Sequence, residues 1–180
     1  MSIDVRPQTD DDVVAVRRVI TEAFGDDGQV ADLAEALRAR RDMQASLVAV
    51  AAQRQVVGHT HLSISWVDAP SRLIEVLTLS PLAVAPSHQS QGVGTRLLHE
   101  AIRSAKALGV PLVFLEGNPA YYSRHGWSAA ADLGFHPPSS RIPAPGFQVA
   151  TLETYEPASM TGALVYNDTF WTHDRVGLRS

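Results

Sequence analysis

The stretch Val84-Ala85-Pro86-Ser87-His88-Gln89-Ser90-Gln91-Gly92-Val93-Gly94-Thr95 holds the residue types and spacing that could do chemistry. Two glycines and a threonine open what reads as a helix. Unpaired backbone N–H groups therefore converge there with the positive end of the helix dipole. Such a place binds anions, most naturally a phosphate or diphosphate. Glycine matters because a Cβ would hold the phosphate away from the backbone. A Walker loop needs Gly-Lys-Ser/Thr, which Gly94-Thr95-Arg96 does not supply. A dinucleotide fingerprint needs a small third residue, where Leu97 stands, and should follow a first strand rather than one late in a sheet. A glycine-softened turn with no ligand is the plain alternative.

The elements around this loop must position it. Arg72 to Val84 reads as a strand, yet it contains Pro81. Proline cannot donate to a ladder, so the strand must bulge or part from a neighbour there. That conflict between pattern and backbone chemistry is a first sign of a site. Gly92 to Leu108 is a helix with Val93, Leu97, Leu98, Ala101, Ile102, Ala105 and Leu108 in one stripe; Gly109 closes it and Pro111 bars continuation. Leu112-Val113-Phe114-Leu115 is wholly apolar, as expected of a strand buried on both faces. Strand, helix, buried strand predicts a βαβ unit with parallel strands and a right-handed crossover.

Upstream, Ile3–Pro7 reads as a short strand, and the acidic triplet Asp10, Asp11, Asp12 as the cap of a helix through Val13, Val16, Val19, Ile20 and Phe24. A second helix carries Val30, Leu33, Ala34 and Leu37 on one face and Glu35, Arg38 and Arg41 on another. Ser46–Ala52, the turn Gln53-Arg54-Gln55 and Val56–Val67 form a hairpin. Downstream, a short helix follows Asn118-Pro119, Trp127–Phe135 is a strand, and His136–Pro145 is a stiff proline-rich loop. Phe147–Leu152 and Ala163–Tyr166 are terminal strands, and the last residues are expected to fray.

All 180 residues read as one domain. No cysteine is present, which excludes disulfide frameworks, cysteine-ligated zinc and thiol nucleophiles. A net charge of −4 without a Lys/Arg run argues against nucleic acid. The start lacks a basic segment followed by an apolar one, and no apolar stretch is long enough for a membrane span. A cytoplasmic globular protein without nucleic-acid or membrane partners is expected. His59 and His61 alternate along a strand with a spacing that could hold a metal. No third ligand follows in a motif-like position, so they read as exposed or hydrogen-bonded histidines and no metal is expected.

Gln89-x-x-Gly92-x-Gly94 resembles the Gln/Arg-x-x-Gly-x-Gly/Ala loop of the GNAT superfamily of N-acetyltransferases. Ser80-Pro81-Leu82-Ala83-Val84-Ala85-Pro86 resembles that family's strand end before the loop. Asn118-Pro119-Ala120-Tyr121-Tyr122-Ser123-Arg124-His125-Gly126-Trp127 resembles its Asn…Tyr-x-x-x-Gly-Phe segment, with Trp127 in place of Phe. Gly117-x-Pro119-x-Tyr121-Tyr122-x-Arg124-x-Gly126 is similar to a subgroup of small bacterial acetyltransferases. The likeness runs from about Leu77 to Trp127.

The resemblance implies an α/β fold: a mixed, mostly antiparallel sheet splayed at a parallel strand pair, helices on both faces, and acetyl-coenzyme A as co-substrate at the split. It implies that the backbone of Leu82, Ala83 and Val84 runs along pantetheine. Gln89, Ser90, Gln91, Gly92, Val93, Gly94 and Thr95 would surround the diphosphate, and Asn118 would touch the pantetheine arm, though it could equally cap the helix beside Pro119. The Val84 N–H would face the thioester oxygen. Tyr122, four residues before Gly126, would be the general acid for the departing thiolate and touch the cofactor. Direct attack by an amine needs no protein nucleophile, which suits a chain without cysteine. The obstacle is the amine's proton: an ammonium of pKa ~10.4 costs ~4.6 kcal/mol to neutralise at pH 7. Glu75, on the strand entering the site, is the candidate base, directly or through a water it holds, with a surface-facing strand residue as the alternative reading; His59 or His61 could relay the proton if they face the acceptor site. The implied activity is transfer of an acetyl group to a small-molecule or peptide amine. Alternatives are a non-catalytic coenzyme A-binding sensor or interaction protein, another acyl chain, or another nucleotide-bearing cofactor. Terminal strands such as Ala163–Tyr166 are available to pair in a homodimer.

Overall fold

A computed structural model describes residues 3–40 and 43–177 of the chain, which divides into two compact units. The first holds the residues up to Leu62 and Leu79–Ser104, the second Ser63–Thr78 and everything from Ala105 onward.

In the first unit β1 (Asp4–Pro7) ends at its proline. The helices α1 (Val13–Phe24) and α2 (Gln29–Arg38) follow, and β2 (Met43–Val50) returns antiparallel to β1. α1 buries Val16, Val19 and Ile20, and α2 buries Ala31, Leu33, Ala34 and Leu37, the three-and-four spacing of helices lying on a core. Asp12 of the acidic triplet stands at the N-cap of α1, but its side chain makes no cap hydrogen bond to that helix. Thr9 opens a 3-10 turn over Asp10–Asp12, and the Asp12 carboxylate accepts from the Thr9 N–H at 2.7 Å and from both Arg6 NH groups at 2.7 and 2.8 Å. The hairpin forms as expected, with a 3-10 turn over Ala52–Arg54 leading into β3 (Val56–Asp68). β4 (Leu73–Val84) and α3 (Val93–Ala107) come next, and β3, β4 and α3 each contribute to both units. Gly58 lets α3 lie directly on β3, since a Cβ there would stand 2.9 Å from Leu97 Cδ1 and 3.0 Å from Val93 Cγ1. Arg41, expected on the polar face of α2, and residues 178–180, at the end expected to fray, lie outside the described residues.

In the second unit β4 pairs parallel with β5 (Leu112–Glu116). This is the parallel pair that the strand–helix–strand pattern predicts. α4 (Pro119–Tyr122) follows β5, and the region expected as one strand divides into β6 (Ser128–Ala129), a 3-10 turn over Ala130–Leu133 and β7 (Phe135–His136). Its alanine run and Gly134, at φ 80°, turn the chain instead of extending it. β8 (Phe147–Thr151) pairs antiparallel with all of β5. Phe114 of β5 meets Phe135 edge-on at 5.1 Å and stacks on Phe147 at 5.5 Å, forming this unit's core. β9 (Gly162–Tyr166) pairs antiparallel with β3 and parallel with β7. Ala163 has a strand partner on each side, Asp68 and His136, so this part of the strand offered for pairing between subunits is engaged within its own chain. The sequence reading missed α5 (Asp168–Thr172), capped by Asn167, whose Oδ1 accepts from the Thr169 N–H at 3.2 Å. The sheet is mixed and mostly antiparallel.

Candidate functional site

The parallel ladder consists of Leu77↔Val113 and Thr78↔Phe114, while the two strands run on to Val84 and Glu116. Its last pair lies just ahead of Pro81, where the ring removes a donor, and the Ser80–Pro81 peptide is cis. At the end of β4 the Ala85 N–H donates to Val57 O at 2.9 Å. Backbone groups alternate between the edges of an antiparallel strand, so Val84 turns its N–H and C=O to the other edge. There the Gln89 side-chain amide donates to Val84 O at 3.1 Å. Ala83 is buried, and Leu82 and Val84 are half-buried.

A 3-10 turn over Pro86–His88 leads into the loop, and the Gln91 amide donates to Ser87 O at 2.9 Å. Gln89 and Gln91, expected around a diphosphate, thus use their side chains to hold the loop's shape. Ser90 at φ 60° and Gly92 at φ 79° place two left-handed residues in a short space, a geometry that curls successive N–H groups around a concavity. Nothing lies within 4 Å of the point a Gly92 Cβ would occupy. The first helical hydrogen bond runs from Arg96 N–H to Gly92 O at 3.1 Å, so the amides of Val93 and Gly94 have no acceptor within the helix. Val93 is buried and anchors this start, Gly94 and Thr95 are half-buried, and Gln89–Gly92 are exposed.

In the second unit Asn118 caps α4, its Oδ1 accepting from the Ala120 N–H at 3.0 Å. Tyr122 packs over Gly117, stands edge-on to Tyr121 at 5.0 Å and lies 6.0 Å from the Trp127 ring. Burial, assisted by Tyr121, pushes its hydroxyl up to about 12. Glu75 is exposed on β4.

A carboxylate that the sequence reading passed over, Glu116, ends β5. Its Oε1 accepts from the Tyr166 hydroxyl at 2.8 Å, and the Gly177 N–H donates to the same carboxylate. Its side chain reaches solvent, yet desolvation raises its pKa above the ordinary value against the pull of those two hydrogen bonds. The signal was a lone charge closing the apolar run Leu112–Leu115.

His59 and His61 are not exposed: each keeps 1% of its surface. His59 Nε2 lies 3.0 Å from Ser46 Oγ, whereas neither ring nitrogen of His61 has a partner. Burial pushes His59 down to about 3 and His61 to about 4, so both are neutral at pH 7. His59 also lines a cavity of about 230 Å3 with Val16, Ile20 and Ala34. Among the described residues no group of three or more His, Asp or Glu could hold a metal ion, and no helix is long and apolar enough to cross a membrane.

The chain is similar to known proteins. The family described as acetyltransferase (GNAT) domain matches residues 4–130. The uncharacterised N-acetyltransferase YjhQ of Escherichia coli is 34% identical over 131 residues, 71% of each chain. The uncharacterised N-acetyltransferase YhbS of Escherichia coli is 29% identical over 168 residues, 92% of this chain and 97% of that one. The crystal structure of YhbS in complex with CoA superposes with a TM-score of 0.86 at 26% identity, covering 98% of this chain and 94% of that one. A GNAT family acetyltransferase from Brucella melitensis, solved with acetyl-CoA, shares the fold with a TM-score of 0.75 at 24% identity, over 94% of this chain and 98% of that one. The chain belongs to the GNAT acetyltransferase family.

Proposed function

We propose that the protein is an N-acetyltransferase that moves an acetyl group from acetyl-coenzyme A to an amine by direct attack through a tetrahedral intermediate. The observation that carries this reading is the start of α3, where the exposed residues Ser90 and Gly92 both take positive φ just ahead of the helix and open space lies beside Gly92. The solved relative that binds CoA supports it. The diphosphate takes the amides of Gln89–Thr95, and pantetheine takes the backbone of Leu82, Ala83 and Val84 as an added strand would. Asn118 spends its Oδ1 on the helix cap and offers its remaining amide donors to the pantetheine arm.

The Val84 N–H, on the edge away from β3, receives the thioester oxygen as it becomes an oxyanion, a contact worth about 3 kcal/mol. The family resemblance assigns Tyr122 to the departing sulfur. With its hydroxyl near 12 and a thiol near ~8.5, complete proton transfer would be uphill by ~5 kcal/mol. Tyr122 therefore acts by donating a hydrogen bond to the nascent thiolate, and the raised value keeps its proton in place. The amine's proton passes to a carboxylate, for which Glu75 and Glu116 are the two candidates. The acceptor is a small-molecule or peptide amine, and dependence on acetyl-coenzyme A fits a cytoplasmic setting.

Thermal stability measured with coenzyme A, acetyl-coenzyme A and NAD tests the cofactor. Stabilisation by the first two is expected, and stabilisation by NAD alone overturns the reading. Thiol release across a panel of amines then separates an enzyme from a coenzyme A-binding sensor, which would bind without turnover.

A further inference from the structure

We infer that Glu116 is the seat of the acceptor's amino group, which makes the acceptor an aliphatic amine that arrives as an ammonium ion. The inference rests on the acetyltransferase reading and adds to it the residue that meets the substrate and the charge the substrate must carry.

The sequence places one charge at the end of a wholly apolar strand, and the fold surrounds it deliberately. Tyr166, itself buried and stacked on Phe170 at 4.6 Å, points its hydroxyl at Oε1, and the chain near the C-terminus brings the Gly177 N–H to the same carboxylate. These contacts fix its orientation without cancelling its charge. Among the described residues no Lys, Arg or His pairs with it, and Tyr166 is the titratable group packed against it. A partly desolvated carboxylate with an open edge and no counter-charge is the complement of a cation. Glu75 has no such supporting contacts among the described residues.

Its place also suits acyl transfer. Glu116 closes β5, beyond the last residue of that strand paired with β4. A Cβ on the next residue, Gly117, would run into Tyr122, so the ring proposed for the leaving sulfur packs against the chain just after this carboxylate.

The step balances. The ammonium docks on Glu116 and gives it one proton, leaving a neutral amine and a carboxylic acid. The nitrogen lone pair forms the C–N bond, the C–S bond breaks with its electron pair on sulfur, and the second nitrogen proton goes to that sulfur. Glu116 returns its proton to solvent through its exposed edge. Tyr166 is a positioning residue, because its hydroxyl holds the carboxylate and stabilises the charged form.

The test follows the carboxyl carbon of Glu116 by NMR in full-length protein labelled on glutamate, with the resonance assigned by its loss in Glu116→Gln. It should titrate above the ordinary glutamate range and shift saturably with n-butylammonium, but not with n-butanol. In Tyr166→Phe, which keeps the ring on Phe170, its titration should move to still higher pH, because a hydrogen bond to the charged form is gone. Titration as an ordinary glutamate, or indifference to n-butylammonium, overturns the inference. Acetyl-coenzyme A binding, measured on the same sample, reports separately on the acetyltransferase reading. Its absence would sink that reading, whereas binding with an indifferent Glu116 would sink only this one.

Discussion

The ring of Tyr122 lies so close over Gly117 that a Cβ at position 117 would stand 2.2 Å from Tyr122 Cε2. Only a residue without a side chain permits that approach. Gly117→Ala should therefore push the tyrosine off its seat at a cost of about 1–3 kcal/mol, the usual penalty of overpacking. Trp127, 6.0 Å from the Tyr122 ring, offers the readout. Altered tryptophan fluorescence together with slower thiol release is expected, and an unchanged spectrum and rate would show that the contact positions nothing.

Tyr122→Phe keeps the ring and removes the donor. Coenzyme A affinity should change little while turnover falls ~10²-fold, the usual scale for losing one hydrogen-bond donor to charge that develops in the transition state. Because the hydroxyl titrates near 12, it stays protonated to high pH, and the wild-type rate should show no loss from this group between pH 7 and 10. Equal turnover by the variant would remove Tyr122 from the mechanism.

His59 and His61 make folding sensitive to mild acid. Their folded values, about 3 and about 4, lie below the ordinary 6.5, so the unfolded chain binds protons that the folded chain refuses. Their contribution is full above about 6.5 and declines as pH falls toward the folded values, by up to about 1.4 kcal/mol per pH unit for each. Urea unfolding at pH 7.5, 6 and 5 should show this decline. His61→Leu should soften it and cost little at pH 7.5, since neither nitrogen of His61 has a partner to lose. An unchanged slope in that variant would contradict the assignment.

Asp12 works with the opposite chemistry and the same sign. Arg6 first, then the Thr9 N–H and hydroxyl, hold its carboxyl well below the usual range. The stability it contributes is complete above about 3.9 and is lost as pH falls through its folded value. Asp12→Asn should cost about 2 kcal/mol at pH 7, and the gap to wild type should close in strong acid. A gap independent of pH would mean the ion pair is not its cause.

Much of this was legible before the fold was known. The βαβ unit was readable because α3 has an uninterrupted apolar stripe and β5 opens with four apolar residues in a row, patterns that local sequence fixes. Pro81 marked the place where β4 loses its parallel partner because a missing donor is a property of the residue itself. Trp127–Phe135 was misread because alternation there lasts too briefly to outweigh Gly134 and the alanine run. The burial of His59 and His61 depends on what the folded chain lays over β3, which no short window contains. Glu116 escaped for the same reason, since its partners lie 50 and more positions downstream.

Calorimetric titration of acetyl-coenzyme A into the wild-type chain and into Gly92→Val tests the central claim most directly. Gly92 is exposed, with open space beside it, so a valine there disturbs few protein contacts yet projects where the diphosphate should sit. Its φ of 79° disfavours a branched side chain, so thermal unfolding of the variant is recorded alongside. The account predicts one acetyl-coenzyme A per wild-type chain and at least a tenfold weaker affinity in a folded Gly92→Val. No binding by the wild type, or equal binding by the folded variant, would contradict it.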